Sequence, residues 1–285
     1  DRVVYGITTG FGDLATVTIP AEKSQLLQRN LLLSHACGVG EPFPEDLVRA
    51  IMLLRINTLT RGFSGISLPT LSQLVNYLNL GIHPVIPSQG SVGASGDLCP
   101  LAHLVLPMIG EGEAEFDGVV LPGGEAMARA GIPLLELKAK EGLALINGTP
   151  VMTSVAAHAL HDALVLQRSA DVLGALTAES LRGVSDAYDP RIHTARRQKG
   201  QIVSAANLRR LLEGSTYMTR QGELRMQDAY SLRCIPQIHG ASRMALDYVR
   251  SVVEDELNAA TDNPLVLVDT GDVFSGGNFH GQPMA

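Results

Sequence analysis

Apolar residues at 26, 27, 31, 32 and 33, closed off by Gly38 and Gly40, recur on one face of a helical repeat and predict an amphipathic helix ending near Ala36. A second helix is predicted from Pro44, with Glu45 and Asp46 in its first turn, to a stop at Gly62. A third carries leucines at 71, 74, 78 and 80 and ends at Gly81. The stretch from Leu98 to Gly112 is strongly apolar, and "AEFDGVVLPGG" alternates about an Asp-Gly pair as a small hairpin does. The second half reads differently. Residues 147–183 predict a helix of about 30 residues with apolar positions on nearly every face, the pattern of a helix buried in a bundle. A shorter helix over "SAANLRRLLEGS" follows. A second long helix is predicted to open after Pro236 and close at Asn263-Pro264, with a further hairpin around Thr270-Gly271-Asp272.

These elements predict a mainly α fold: a multihelical body with long central bundle helices and small β-hairpins. Residues 1–140 form an N-terminal region, and 141–285 the first part of a central bundle, in one continuous domain. No repeat or low-complexity linker divides the chain. It opens inside a stretch that resembles a strand and ends at "NFHGQPMA", so it reads as a piece of a longer polypeptide.

Composition narrows the partners. With 45% hydrophobic and 18% charged residues, 285 residues supply material for a large core. The net charge of -7 and the lack of a basic cluster with interleaved aromatics argue against nucleic acid. Neither an export signal nor a charge-free apolar run long enough for a membrane span is apparent. Cys37, Cys99 and Cys234 are odd in number and far apart, which argues against a disulfide framework or a thiolate metal site and for a reducing cytoplasm. His158, His161 and Asp162 have a spacing that suggests a metal only weakly, because zinc takes three or four ligands.

The run "GSVGASGD", residues 90–97, fits neither phosphate-loop spacing nor the nucleophile elbow. Its chemistry lies elsewhere. The nitrogen of Gly96, unhindered by a Cβ, can attack the carbonyl of Ala94, and loss of water closes a five-membered imidazolone. Dehydration of Ser95 then leaves an exocyclic methylene, an electrophile that no natural side chain offers.

Together with "YGITTGFG", "LALINGT", "QDAYSLRCIPQ" and "GGNFHGQP", this run resembles the ordered motif series of the aromatic amino acid ammonia-lyases, from residue 5 to residue 283. The resemblance implies a 4-methylidene-imidazol-5-one group formed from Ala94, Ser95 and Gly96, with neither metal nor nucleotide. It implies Tyr5 as catalytic base, Asn147 positioning the amino group and the ring carbonyl, and Arg233 pairing with the substrate carboxylate. Gln227 and Tyr230 line the pocket, Tyr230 reaching a neighbouring subunit's site, and Phe279 lies near the prosthetic group. A tyrosine serving as base predicts a crowded polar pocket around Tyr5. The Ser34-His35 pair is similar to histidine-specific members, which implies His35 on a substrate imidazole, elimination of ammonia from L-histidine to urocanate, and a homotetramer when intact. A related aromatic amino acid lyase, an aminomutase sharing the motifs, and a scaffold whose loop never cyclises remain alternatives.

Overall fold

The computed structural model describes residues 3–92 and 96–285, so Gly93, Ala94 and Ser95 lie outside the described residues. It is mainly helical. In chain order the elements are α1 (Ser24–His35), β1 (Val39–Pro42), α2 (Glu45–Thr60), α3 (Leu68–Asn79), β2 (His83–Pro84), β3 (Pro87–Gln89) and α4 (Leu98–Val105). Then come β4 (Glu113–Phe116), β5 (Val119–Pro122), α5 (Gly123–Arg129), α6 (Glu141–Ile146), α7 (Pro150–Ser180), α8 (Pro190–Arg196) and α9 (Lys199–Leu211). The chain continues through α10 (Tyr230–Arg233), α11 (Ile235–Leu257), β6 (Leu265–Leu267) and β7 (Asp272–Phe274).

The helices start and stop for local reasons. Extended Pro44 precedes α2, whose Glu45 and Asp46 place negative charge at the positive end of the helix dipole. The β4–β5 hairpin turns on Asp117 and Gly118, both at positive φ, as the twist of an antiparallel pair demands. Two expectations are corrected. The segment from Val3 to Gly10 is a series of turns rather than a strand, with only Thr9 bridged to Thr18. Helix α11 ends at Leu257, not at Asn263-Pro264, because Asn263 is used elsewhere as a hydrogen-bonding loop residue. Apolar residues of α7 are exposed, Leu166 at 70% and Leu173 at 60%, on a face that the described residues leave open.

Residues 3–92, 96–156 and 253–285 form one compact unit and 157–252 a second. The first unit holds the larger core, including Leu32, Ile51, Met52, Leu74, Leu101 and Leu145, drawn from α1, α2, α3, α4 and α6. Its sheets are small: β1 with β3, β2 with β4 and β5, and β6 with β7, every pair antiparallel. In the second unit, Ala178, Tyr188, Leu208 and Ile235 pack together. There the Asp171 carboxylate accepts from Ser204 Oγ (2.6 Å), Asn207 Nδ2 (2.8 Å), His239 Nδ1 (2.9 Å) and Arg243 Nη2 (3.1 Å), joining α7 to α9 and α11. The stretch Glu141–Ser180 has the length and mean hydropathy of a bilayer span, yet 67% of its most apolar window is buried inside the protein, as in a core helix.

Candidate active site

Three motifs far apart in the sequence meet at Gly96. Its φ is +71°, and a Cβ there would lie 2.1 Å from the Gly148 carbonyl oxygen and 3.0 Å from that of Phe279. No residue with a side chain fits. Asp97 fixes the contact: its N–H donates to the Gly148 carbonyl at 2.7 Å. The Asp97 carboxylate accepts from Ser91 Oγ (2.7 Å) and from the N–H groups of Val151 (2.7 Å) and Met152 (3.0 Å), which open α7. Burial nonetheless pushes the Asp97 carboxyl above its ordinary value, with those bonds and Arg55 opposing the shift.

Beside this point lies a cavity of about 280 Å³, lined by Tyr5, Phe11, Leu31, His35, Leu98, Leu143, Asn147, Asn263 and Phe279 among others. Tyr5, His35, Asn147 and Phe279, assigned above from four different motifs, thus share one cavity wall. Ala94 and Ser95 lie outside the described residues. Most of the lining is apolar, which corrects the expectation of a crowded polar pocket: the Tyr5 hydroxyl oxygen accepts the Gly12 N–H at 3.2 Å, and its ring meets Phe11 edge-on at 6.4 Å between centroids.

His35 closes α1, and its Nδ1 lies 2.9 Å from the Leu31 carbonyl and 3.1 Å from Ser34 Oγ. A carbonyl only accepts, so that bond places the proton on Nδ1 and leaves Nε2 as the acceptor of the neutral ring. Asn147 ends α6, and its Nδ2 donates to the Asn263 carbonyl at 3.0 Å, which directs the amide and leaves Oδ1 to accept.

Gln227, Tyr230 and Arg233 belong to the second unit. Gln227 and Arg233 line a cavity of about 250 Å³ together with Asp186, Asp228 and Gln237. Tyr230 is 73% exposed, and the Arg233 guanidinium carbon stands 4.6 Å from its ring centroid. The buried Arg233 Nε has no hydrogen-bond partner among the described residues.

A buried charge cluster in the first unit escaped the reading of the sequence. Arg55 is fully buried; its Nη2 donates to the Ala144 carbonyl, while Nε and Nη1 have no partner among the described residues. A Cβ at Gly148 would come within 2.6 Å of Arg55 Nη1. Burial lowers the Arg55 pKa to about 10, against the pull of Asp262 and Asp97. Lys140 Nζ donates to Asp262 Oδ2 (2.8 Å) and the Ser64 carbonyl (2.7 Å), both ends of the ion pair being buried. The available signal was Arg55 itself, a charge inside the apolar run "IMLLRINTL". Metal-ligand atoms also gather away from His158 and His161: those of Glu45, His83 and Glu115 lie within 4.8 Å of one another, with Arg49 Nη1 3.2 Å from His83 Nε2.

Comparison with known proteins gives this geometry its context. A family model described as aromatic amino acid lyase matches residues 1–285. The histidine ammonia-lyase of Clostridium tetani is 59% identical over 285 residues, covering 100% of this chain and 55% of that protein. That of Alkaliphilus oremlandii is also 59% identical, over 100% of this chain and 56% of its own length. The chain therefore spans about half the length of the curated relatives it matches. Among solved structures, Pantoea agglomerans phenylalanine aminomutase superposes with a TM-score of 0.95 at 35% identity, over 99% of this chain and 58% of that one. Histidine ammonia-lyase from Trypanosoma cruzi does so with a TM-score of 0.90 at 42% identity, over 99% of this chain and 52% of that one. A family match from end to end, on a fold shared with those enzymes, means that the chain belongs to the aromatic amino acid lyase family.

Proposed function

We propose that this chain carries the site of a carbon-nitrogen lyase that eliminates ammonia from L-histidine to give urocanate, with a methylidene-imidazolone group made from Ala94, Ser95 and Gly96. The observation that carries the reading is the cavity shared by Tyr5, His35, Asn147 and Phe279 beside Gly96. The fit to the group rests on Gly96: the position admits only glycine, and only a nitrogen without a flanking Cβ closes the ring readily. When formed, the group supplies an electrophilic methylene that assists departure of the amine.

The chain's own residues do the rest. Tyr5, held at the cavity wall by the Gly12 N–H, takes the β-proton. His35 Nε2 accepts from the substrate imidazole, and Asn147 Oδ1 accepts from its amino group. Arg233 suits the carboxylate, since its fork of donors is not fully used within the second unit. Tyr230, which is exposed, serves the site of a neighbouring subunit in a homotetramer under this reading, and Gln227 stands with Arg233 in one cavity. The histidine reading is supported by the likeness to two histidine ammonia-lyases at 59% identity. Three free cysteines support a reducing cytoplasm as its location.

The test is the mass of the peptide from Ser91 to Leu101 in the full-length protein. It lacks two waters if the ring forms; in Ser95→Ala, which has no hydroxyl to eliminate, at most the single water of cyclisation is lost. An unmodified mass would overturn the mechanism. An aminomutase reading is favoured by the likeness to the Pantoea agglomerans enzyme; a β-amino acid product from L-histidine, in place of urocanate, would establish it.

A further inference from the structure

Cys37 and Cys99 stand 62 positions apart in the sequence, and their Sγ atoms lie 4.0 Å from each other. All three cysteines are free; Cys37 is exposed and Cys99 is buried in the first turn of α4. The approach is built, not incidental. Gly38, next to Cys37, donates its N–H to Nε2 of His103 at 3.0 Å, and His103 lies one turn beyond Cys99 on α4. Two successive residues after α1 thus face two successive turns of α4. Burial holds the His103 imidazole below its ordinary pKa, which keeps the ring neutral and Nε2 an acceptor. Gly90 leaves room for the buried sulfur, since a Cβ there would lie 2.6 Å from Cys99 Sγ.

A disulfide needs its sulfurs about 2 Å apart. Rotation of the exposed Cys37 side chain is the movement available to close that gap. We propose that Cys37 and Cys99 are a reversible redox pair, in which Cys37 attacks a low-molecular-weight disulfide such as oxidised glutathione and Cys99 resolves the product. In the first exchange the Cys37 thiolate forms a mixed disulfide and expels one glutathione thiolate. In the second, the Cys99 thiolate attacks the Cys37 sulfur, forms the intramolecular bond and expels the other. The electron pair given up by the two cysteines reduces glutathione disulfide to two glutathiones, which take up the two protons. The order follows from exposure, and burial supports it by raising the pKa of the Cys99 thiol. Such a bond would clamp the cavity wall: His35 is two residues before Cys37, and Leu98 immediately precedes Cys99.

The test treats the folded chain with oxidised glutathione and maps its peptides without reduction. The expected product joins the Cys37 and Cys99 peptides, with a mass two hydrogens below their sum, and dithiothreitol releases them. Because resolution is intramolecular, the mixed disulfide on Cys37 does not accumulate, and the cross-link appears at the rate at which the Cys37 thiol is lost. Cys99→Ser leaves a lasting glutathione adduct on Cys37, and Cys37→Ser, a change at an exposed position, leaves Cys99 a thiol. A lasting adduct on Cys37 of the unsubstituted chain, or an unreacted Cys37, overturns the proposal. None of these readouts depends on turnover, so the redox pair and the lyase reading stand or fall separately.

Discussion

At Gly148 a Cβ would collide with Arg55 Nη1 and with the carbonyl of Thr261, and at Gly96 with the carbonyl of Gly148. The glycines of two motifs are therefore needed by the backbone around them as well as by any chemistry. Motif residues such as Tyr5, His35 and Asn147 were readable in the sequence because their neighbours in the chain are distinctive. Arg55, Lys140 and Asp262 were not, because what explains them comes from far away: Lys140 and its carboxylate partner are 122 positions apart. Glu141 belongs with them. It accepts from the N–H of Ser67 (3.1 Å), Thr70 Oγ1 (2.8 Å) and the N–H of Lys138 (2.8 Å). Burial alone would raise its pKa, but these bonds win and hold it below the ordinary value of a glutamate. A depressed folded pKa means stability fully present above the unfolded value and lost as pH falls through the folded one. Glu141→Gln is expected to cost about 2 kcal/mol near neutral pH, measured by urea unfolding, and the gap from the parent chain should shrink below about pH 4.

Helices with a clear period were predictable, and so was the β4–β5 turn, since Asp-Gly specifies its backbone. The end of α11 was not, because Asn-Pro is a strong local stop yet the helix ends earlier, where the chain turns toward the Asn263 loop. What no periodicity conveys is how closely two helices approach. A Cβ at Gly240 on α11 would lie 2.3 Å from the Gln201 backbone nitrogen on α9, and one at Gly200 would lie 2.1 Å from the Gly240 carbonyl oxygen. These backbones touch with no side chain between them. Gly240→Ala should lower the unfolding free energy by about 3 kcal/mol through forced separation of α9 and α11, whereas the same change at open Gly214 carries only the strain of its positive φ. Equal denaturation midpoints for the parent chain and Gly240→Ala would contradict this.

For the whole molecule, the exposed apolar residues matter most. Apolar positions on nearly every face mark α7 as a bundle helix, and Leu166, Leu173 and Leu176 of α7 and Ile238 and Tyr248 of α11 stand exposed. Apolar surface of this kind drives association. The 285-residue chain is expected to self-associate at micromolar concentrations, with sedimentation showing species heavier than its 30.3 kDa. Leu166→Lys with Leu173→Lys should shift it toward monomer without loss of helix content. A parent chain that sediments as a monomer would mean that these faces need no cover.

The buried cluster of the first unit holds two cations, Arg55 and Lys140, and two acids, Asp97 and Asp262. Removing one of them strands an opposite charge where water cannot reach it, while removing two of unlike sign leaves the interior electrically even. Divergence among descendants of this chain is thus expected to be yoked, these four positions changing hands in opposite couples.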